Sequence, residues 1–383
     1  MDFALTEEQK MLKVMVRDFA TKELEPLAAE VDESSRFPAE SVKKLADLGL
    51  LGLGFPEEYG GSGGGAIETA IVTEELARVC ASTSAIFLAS TGLAGHPIFV
   101  YSNEDQRKRF VTPVASGQKL AAFGLTEPGA GSDPAAMETT ATRRQGGYAI
   151  NGTKIFITNG AEAGVILVFA TVDKSKRHKG ITAFLVEKET PGFSVGKLEH
   201  KMGIRGSSTA ELLFEDCFVP EENRLGNEGD GFKIALNAID ASRVTVAAQA
   251  VGIAQGAMEK ALTYAKDRRQ FGQPIAEFQA IQWLLADMAT RIEAARLLTF
   301  KAAYTEDMGL PFAKEASMAK VFAGETAGWV TTKALQIYGG YGFVKDYPME
   351  RYFRDAKITE IYEGTSEMQR MTIARHLLRE GAG

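Results

Sequence analysis

"GGYAINGTKIFITNG", residues 146–160, is the stretch on which the architecture turns. It places Asn151-Gly152 between two short β-prone runs, the strongest short-range signal for a hairpin. Working outward, "AGVILVFATVD", "GITAFLVEKE" and "TAELLFEDCFV" supply further strands, separated by glycine and charged turns. From about Lys119 to Gly226 the turn spacing reads as a β module of roughly 100 residues.

On both sides of it the pattern is helical. Before it, Thr6-Glu7-Glu8 reads as an N-cap with acids in the first turn, and Leu12, Met15, Val16 and Phe19 follow at helical spacing. "PAESVKKLADLGLLG" and "AIETAIVTEELARVCAS" read the same way. After it, "DGFKIALNAIDASRVTVAAQAVGIAQGAMEKALTYAKDRR" runs without proline, and two more long periodic stretches follow. Periodic runs beyond about 25 residues indicate a bundle. The expected class is α+β multidomain, with segments 1–118 (helical), 119–226 (β) and 227–383 (helix bundle).

Composition narrows the function. A length of 383 residues permits two or three packing units. A net charge of −7 and a pI near 5.4 argue against a nucleic-acid or anionic-membrane partner, since both reward a basic face. An anionic ligand would need a local basic cluster. Cys80 and Cys217 are too few for a disulfide framework, which suits a reducing compartment. His96, His178, His200 and His376 show no metal-ligand spacing, so metal catalysis is not expected. The acids in "DFALTEEQKMLKVMVRDFA", after Met1, exclude a signal-peptide n-region and its charges exclude a membrane span. A cytoplasmic location is expected.

Several motifs admit two readings. "GGSGGGA" (60–66) fits a serine nucleophile elbow and a dinucleotide loop, but both need a strand before them, and "GFPEEY" makes a poor one. It reads as a turn between helices. "GAGSDP" (129–134) has Pro134 where the third glycine of a dinucleotide fingerprint belongs. "FGLTEPGAGSD" (123–133) is an ordinary glycine turn or a loop whose backbone approaches a flat or phosphorylated ligand. "YGGYGF" (338–343) is a helix stop or a phosphate contact. Asp240 and Arg243 form a surface i,i+3 pair or an anion fork, and the arginines of "DRRQFG" (267–272) complement a helix C-terminus or bind phosphate. In "KITEIYEGTSEMQR" (357–370), Glu363 is a solvent-facing carboxylate or a base held away from water.

Together, "LTEPGAGSD", "KIFITNG", "DRRQFG", "LQIYGGYGF" and "IYEGTSE" resemble the acyl-CoA dehydrogenase family, in its order and at its spacing across nearly the whole chain. The likeness is to its short- and medium-chain, butyryl-CoA dehydrogenase-like branch. The resemblance implies an N-terminal α-helical domain, a middle β-barrel and a C-terminal four-helix bundle. It implies non-covalent FAD, a homotetramer built as a dimer of dimers, and an acyl-CoA substrate. By motif, Phe123, Thr126, Phe156 and Thr158 would line the flavin, and Thr365 and Glu367 would also contact FAD. Arg268, Gln270, Phe271, Gln336, Gly339 and Gly340 would meet the adenine-diphosphate end of FAD bound to a neighbouring subunit. Ser132, Asp240 and Arg243 would hold CoA, and Gly364 the acyl thioester.

Glu363 takes the position of the base. The implied reaction removes the α-proton of the thioester to Glu363 and a β-hydride to flavin, giving the trans-2-enoyl-CoA. An exposed glutamate is too weak for that step, so burial must strengthen it. In this family the base residue's own N–H helps hold the thioester oxygen. Some long-chain and isovaleryl members place the base just before the arginine of the Asp-x-x-Arg motif. Here Ser242 stands there and cannot serve. The length, without the extra C-terminal domain of the oxidase relatives, favours an electron-transferring flavoprotein as acceptor. Acyl-chain preference is expected to depend on residues near Ser82–Gly95 and Phe232–Asp240. The absence of arginine between Ala81 and Asp105 disfavours a glutaryl-type substrate. A non-catalytic binder of acyl-CoA or flavin on the same scaffold is the alternative, and an intact Glu363 speaks against it.

Overall fold

Thr6 opens the first helix. Its hydroxyl accepts the Gln9 N–H, and the Gln9 side chain accepts the Thr6 N–H, a closed capping box. The computed structural model describes residues 4–380, so the outermost residues of the first and last expected segments lie outside the described chain. The N-terminal helices are α1 (Glu7–Phe19), α2 (Ala28–Ser34), α3 (Ala39–Asp47), α4 (Ala66–Ala77), α5 (Ala81–Leu88), α6 (His96–Tyr101), α7 (Glu104–Gln106) and α8 (Thr112–Ala115). A π-helical turn, Ala89–Gly95, joins α5 to α6. The continuous run Ala81–Tyr101 is long and apolar enough to cross a membrane, but it lies mostly buried inside the protein, as a core helix does.

The β domain holds β1 (Ala121–Gly124), β2 (Thr140–Arg144), β3 (Gly147–Thr158), β4 (Val165–Thr171), β5 (Ile181–Glu187), β6 (Phe193–Leu198), β7 (Thr209–Pro220) and β8 (Arg224–Leu225). They form one sheet in the order β6-β7-β3-β2-β4-β5-β8, with β1 parallel to β4. Strand β4 is buried on both faces. Val165, Leu167 and Phe169 enter the core shared with α6 and α8, while Ile166, Val168 and Ala170 enter the core between the strands.

Asn151-Gly152 is not the hairpin turn. The turn is Gln145-Gly146, with Arg144 paired to Gly147 and Gly146 at φ 79°. β3 runs straight through Asn151-Gly152, which sits at a shift of register against β7, a bulge. The Asn151 amide is engaged across that bulge: it accepts the Asp216 N–H at 2.8 Å and donates to the Asp216 carboxylate at 3.1 Å. A Cβ on residue 152 would lie 2.7 Å from the Thr139 Cα. Glycine is there for close backbone approach, and the hairpin reading of the dipeptide is corrected on that ground.

The C-terminal helices are α9 (Gly231–Asp267), α10 (Gln279–Asp307), α11 (Ala313–Tyr338), α12 (Met349–Ala356) and α13 (Ser366–Glu380). Ala247, Ala254 and Ala261, a heptad apart on α9, have no solvent exposure. Toward α4 the approach is closer still: a Cβ at Gly252 would sit 2.2 Å from the Glu74 carbonyl, and one at Gly256 2.0 Å from that of Arg78. Most of "DRRQFG" lies outside α9. After Asp267 the chain forms a two-residue hairpin, β9 (Arg269–Gln270) with β10 (Gln273–Pro274). Phe271 and Gly272 at its tip have φ of 52° and 81°, which no right-handed helix can continue through. "GGSGGGA" is a packed turn with no strand before it: a helical turn, Glu57–Tyr59, precedes, and the Ser62 hydroxyl donates to the Gly49 carbonyl at 3.2 Å.

Candidate active site

Between α12 and α13 the chain must reverse within a few residues. It does so through Glu363 and Gly364, whose φ angles are 52° and 89°. The left-handed region suits Gly364 but costs a glutamate roughly 1–2 kcal/mol. Three side chains hold the turn from one side. The Glu363 carbonyl accepts from Arg243 Nε at 3.3 Å and Gln369 Nε2 at 3.0 Å. The Gly364 carbonyl accepts from Gln369 Nε2 at 2.8 Å and Lys320 Nζ at 2.7 Å.

Tyr362 anchors the turn from the other direction. Its hydroxyl donates to the buried Gln249 side chain, whose amide donates to the Ala81 carbonyl at 3.1 Å. Further along α5 the Ile86 carbonyl accepts Asn159 Nδ2 at 3.0 Å, beside Thr158. The base candidate and the end of β3 are thereby tied to the same helix.

Burial pushes the Glu363 carboxyl up to about 7, against the downward pull of Arg243 and Lys320. Asp240 and Arg243 pair at 2.6 Å, but with side chains only 24% and 9% exposed, so the surface-pair reading is set aside. Asp240 also lines a cavity of about 770 Å³ between the 64–69 turn, the α5–α6 run, α9 and the start of α11. Thr91, Gly92, Asn237 and Ala238 line it too, so both segments expected to shape acyl preference contribute. Its ionisable lining is Asp240, Glu306, Asp307, His96 and Tyr101, with no lysine or arginine among the described residues. Burial and the neighbouring Asp307 and Asp240 push Glu306 up to about 7.

A second group sits on the β domain. The Ile155 N–H donates to the Thr126 carbonyl at 2.9 Å, bringing "LTEPGAGSD" and "KIFITNG" together. Beneath that contact Lys154, with no exposure, donates to Glu127 at 2.7 Å and to the Leu125 carbonyl at 3.1 Å. Glu127 also accepts the Thr139 N–H at 3.0 Å. Beyond the pair, Phe156 has φ 59° and is 60% exposed, a large ring presented outward at a break in the β3–β7 register. The Phe123 ring packs on Phe169 at 4.9 Å, and Thr158 is half-buried. Ser132 lies exposed on the loop that follows Gly129 and Gly131.

A third group is elsewhere. Arg268, Gln270, Gly339 and Gly340 line a cavity of about 530 Å³, with the Arg268 guanidinium over the Tyr341 ring at 5.3 Å. Phe271, 93% exposed, stands at the hairpin tip, and Gln336 is exposed on the last turn of α11; neither is in the cavity wall. Gly339, with φ 60°, ends α11, and a Cβ at Gly339 or Gly340 would meet nothing within 4 Å. Asp240 is on α9 and Arg268 follows its last residue, about 40 Å away at the helical rise. The fold does not bring the third group to the Glu363 turn of the same chain.

Models of the acyl-CoA dehydrogenase N-terminal, middle and C-terminal domains match residues 6–118, 122–217 and 229–378. The chain belongs to the acyl-CoA dehydrogenase family. It is thus an oxidoreductase of a family that works with FAD. It is 50% identical over 379 residues to the short-chain specific acyl-CoA dehydrogenase of Clostridium acetobutylicum, covering 99% of this chain and 100% of the relative. It is 52% identical over 381 residues to the NADH-dependent acryloyl-CoA reductase of Anaerotignum propionicum, covering 99% and 96%. A solved chain from work on the electron transferring flavoprotein of Acidaminococcus fermentans superposes with a TM-score of 0.98 at 50% identity, covering 99% and 100%.

Reading the sequence of this dehydrogenase missed Lys320, Gln369, Gln249 and the Lys154–Glu127 pair. Lys320 left a trace: it occupies the helical stripe of Ala316, Ala323 and Ala327, all without exposure, so the periodicity itself puts a cation in the core. Gln249 contacts Ala81 and Tyr362, both more than 100 residues away, and nothing local marks it. Gln369 lies only six residues beyond Glu363, within the same motif, but its polar side chain reads as one more exposed helix residue.

Proposed function

We propose that this dehydrogenase converts a short-chain acyl-CoA to the trans-2-enoyl-CoA, with Glu363 as the base for the α-proton. The observation that carries the reading is the Glu363 carboxyl itself, raised to about 7 on a turn fixed by three side chains. A carboxylate with that proton affinity binds a proton far better than a solvated one, while remaining substantially ionised near neutrality. The Glu363 N–H is suited to donate to the thioester oxygen, which lowers the cost of charge developing there. Arg243, paired with Asp240 beside the cavity, is suited to hold CoA, with Ser132 on the exposed loop and Gly364 against the thioester. Short acyl chains are favoured by the likeness to a short-chain specific relative. The three carboxyl groups in the cavity lining, with no lysine or arginine among its described residues, disfavour a substrate with a distal carboxylate.

The residues present fit FAD. The Ser366 hydroxyl and Gln369 Oε1, next to Thr365 and Glu367, are buried without a hydrogen-bond partner among the described residues. Phe123, Thr126, Phe156, Thr158, Thr365 and Glu367 would hold the flavin end. Arg268, Gln270, Phe271, Gln336, Gly339 and Gly340 would hold the adenine-diphosphate end of FAD in a neighbouring protomer. The distance along α9 supports that division; the homotetramer, a dimer of dimers, is proposed from the family resemblance. Bound FAD supplies the acceptor for the β-hydride, and an electron-transferring flavoprotein is the proposed next carrier, which the neighbour from Acidaminococcus fermentans supports.

The test is anaerobic mixing of the FAD-loaded enzyme with straight, branched and cyclic saturated acyl-CoAs. Short straight chains are expected to bleach the flavin fastest. Glu363→Gln is expected to load FAD and bind acyl-CoA, yet bleach about 10²- to 10⁴-fold more slowly. Rapid bleaching by that variant refutes the assignment of the base, and no bleaching by any acyl-CoA points to a mere binder.

A further inference from the structure

Lys320 is a buried ammonium ion whose place in the helix packing calls for an aliphatic side chain. Its neighbours on the inward stripe of α11 are alanines, and its own exposure is zero. Burying such an ion is expensive unless something in the interior needs a cation. What it meets is the carbonyl of Gly364, at 2.7 Å.

That carbonyl is one of two that the left-handed turn directs toward α9 and α11. The other belongs to Glu363 and meets Arg243 and Gln369. Two successive carbonyls on one side of a chain form an electronegative patch, and Arg243 and Lys320 face it. A trans peptide plane points its N–H opposite its C=O. Clamping these two carbonyls therefore also sets the directions of the Gly364 and Thr365 N–H groups. Charge and geometry act together here. Around the two cations that act on the carboxyl, Arg243 of α9 and Lys320 of α11, stand Asp240 beside Arg243, and Glu360 from the turn after α12 and Glu367 from α13 beside Lys320, with His376 acting on Asp240. Among the charged groups acting on Glu363 itself, Arg243 and Lys320 both favour its ionised form.

We propose that Lys320 is a positioning residue of the reaction, its ammonium ion locking the 363–364 turn through the Gly364 carbonyl and placing a second buried positive charge behind Glu363. Arg243 is already engaged by Asp240 at 2.6 Å, so its charge is partly spent. Lys320 makes its hydrogen bond to the turn itself, and its removal leaves the carbonyl patch without its second cation. The role rests on Glu363 being the base, and the experiment separates the two.

Lys320→Met removes both the donor and the charge at similar volume. Lys320→Gln retains a donor but no charge. Gln369→Leu removes the neutral part of the clamp. Two quantities are read on FAD-loaded protein: the pH midpoint of the Glu363 carboxyl by infrared titration, with Glu363→Gln identifying the band, and the limiting rate of flavin bleaching. Removing a nearby positive charge destabilises the carboxylate, so both Lys320 variants are expected to shift the midpoint upward by about one pH unit. Gln369→Leu is expected to leave the midpoint in place. Loss of position lowers the limiting rate about 10- to 100-fold in Lys320→Met and less in Lys320→Gln. A Lys320→Met protein with wild-type midpoint and wild-type rate overturns the proposal. If that variant does not fold, Lys320→Gln decides by its midpoint alone. Fast bleaching by Glu363→Gln removes the base assignment and this role with it. Inert Glu363→Gln beside unchanged Lys320 variants removes this role only.

Discussion

The chain places a glycine next to an aromatic or acidic residue in two similar phrases, "YEGT" at 362–365 and "YGGYG" at 338–342. Structurally they are opposites. Gly364 is enclosed: a Cβ there would lie 2.9 Å from Gln369 Nε2 and 3.5 Å from Arg243 Nη2. Gly339 and Gly340 are open, with nothing within 4 Å of a Cβ. One turn is held by its own protein and carries a strained glutamate. The other presents bare backbone beside Arg268 and Gln270, where the adenine-diphosphate end of a neighbouring protomer's FAD is proposed to sit. The same residue type lies in a packed turn in one place and in an open one in the other.

Substitutions sharpen the contrast. The largest effect is expected from Gly364→Ala, which forces a side chain into the left-handed turn against Gln369. A displacement of about 1 Å costs on the order of 100-fold in rate, so flavin bleaching should slow by that much while FAD stays bound. An unchanged rate would mean that the turn need not be held.

A second expected outcome concerns pH. Glu363 must be ionised to take a proton, and its folded value lies near 7. The bleaching rate should rise with pH up to that value and level off above it. A base at the ordinary glutamate value would show a flat profile over the same range. The smallest effect belongs to the open end. Gly340→Ala should leave the urea-unfolding stability of the loaded protein within about 0.5 kcal/mol, while FAD dissociates several-fold faster. Equal loss of stability and cofactor would place that glycine in the fold rather than at the ligand.

How far the sequence could be read follows from the range of its interactions. Cap, helix and strand patterns depend on neighbours in the chain, which is why Thr6, the long α9 and the apolar β4 were legible. Asn151-Gly152 misled because its glycine answers to Thr139 and its asparagine to Asp216, not to a local turn. Glu363 was legible through its motif. The groups that fix its turn were not: Lys320 and Gln249 reach Gly364 and Tyr362 from helices that only the fold brings together, while Gln369 is near in the chain but carries no mark of its contact. Phe271 was singled out by motif as well, but its 93% exposure at a hairpin tip came only from the structure.

The central claim is that the carboxyl at 363 moves the α-proton, and proton exchange tests this without requiring hydride transfer to be rate-limiting. A saturated short-chain acyl-CoA bound anaerobically in D₂O should exchange its α-hydrogens, followed by proton NMR. The wild-type enzyme is predicted to exchange them readily and Glu363→Gln to leave them in place on the same time scale. Exchange at equal rates in both proteins would contradict the account.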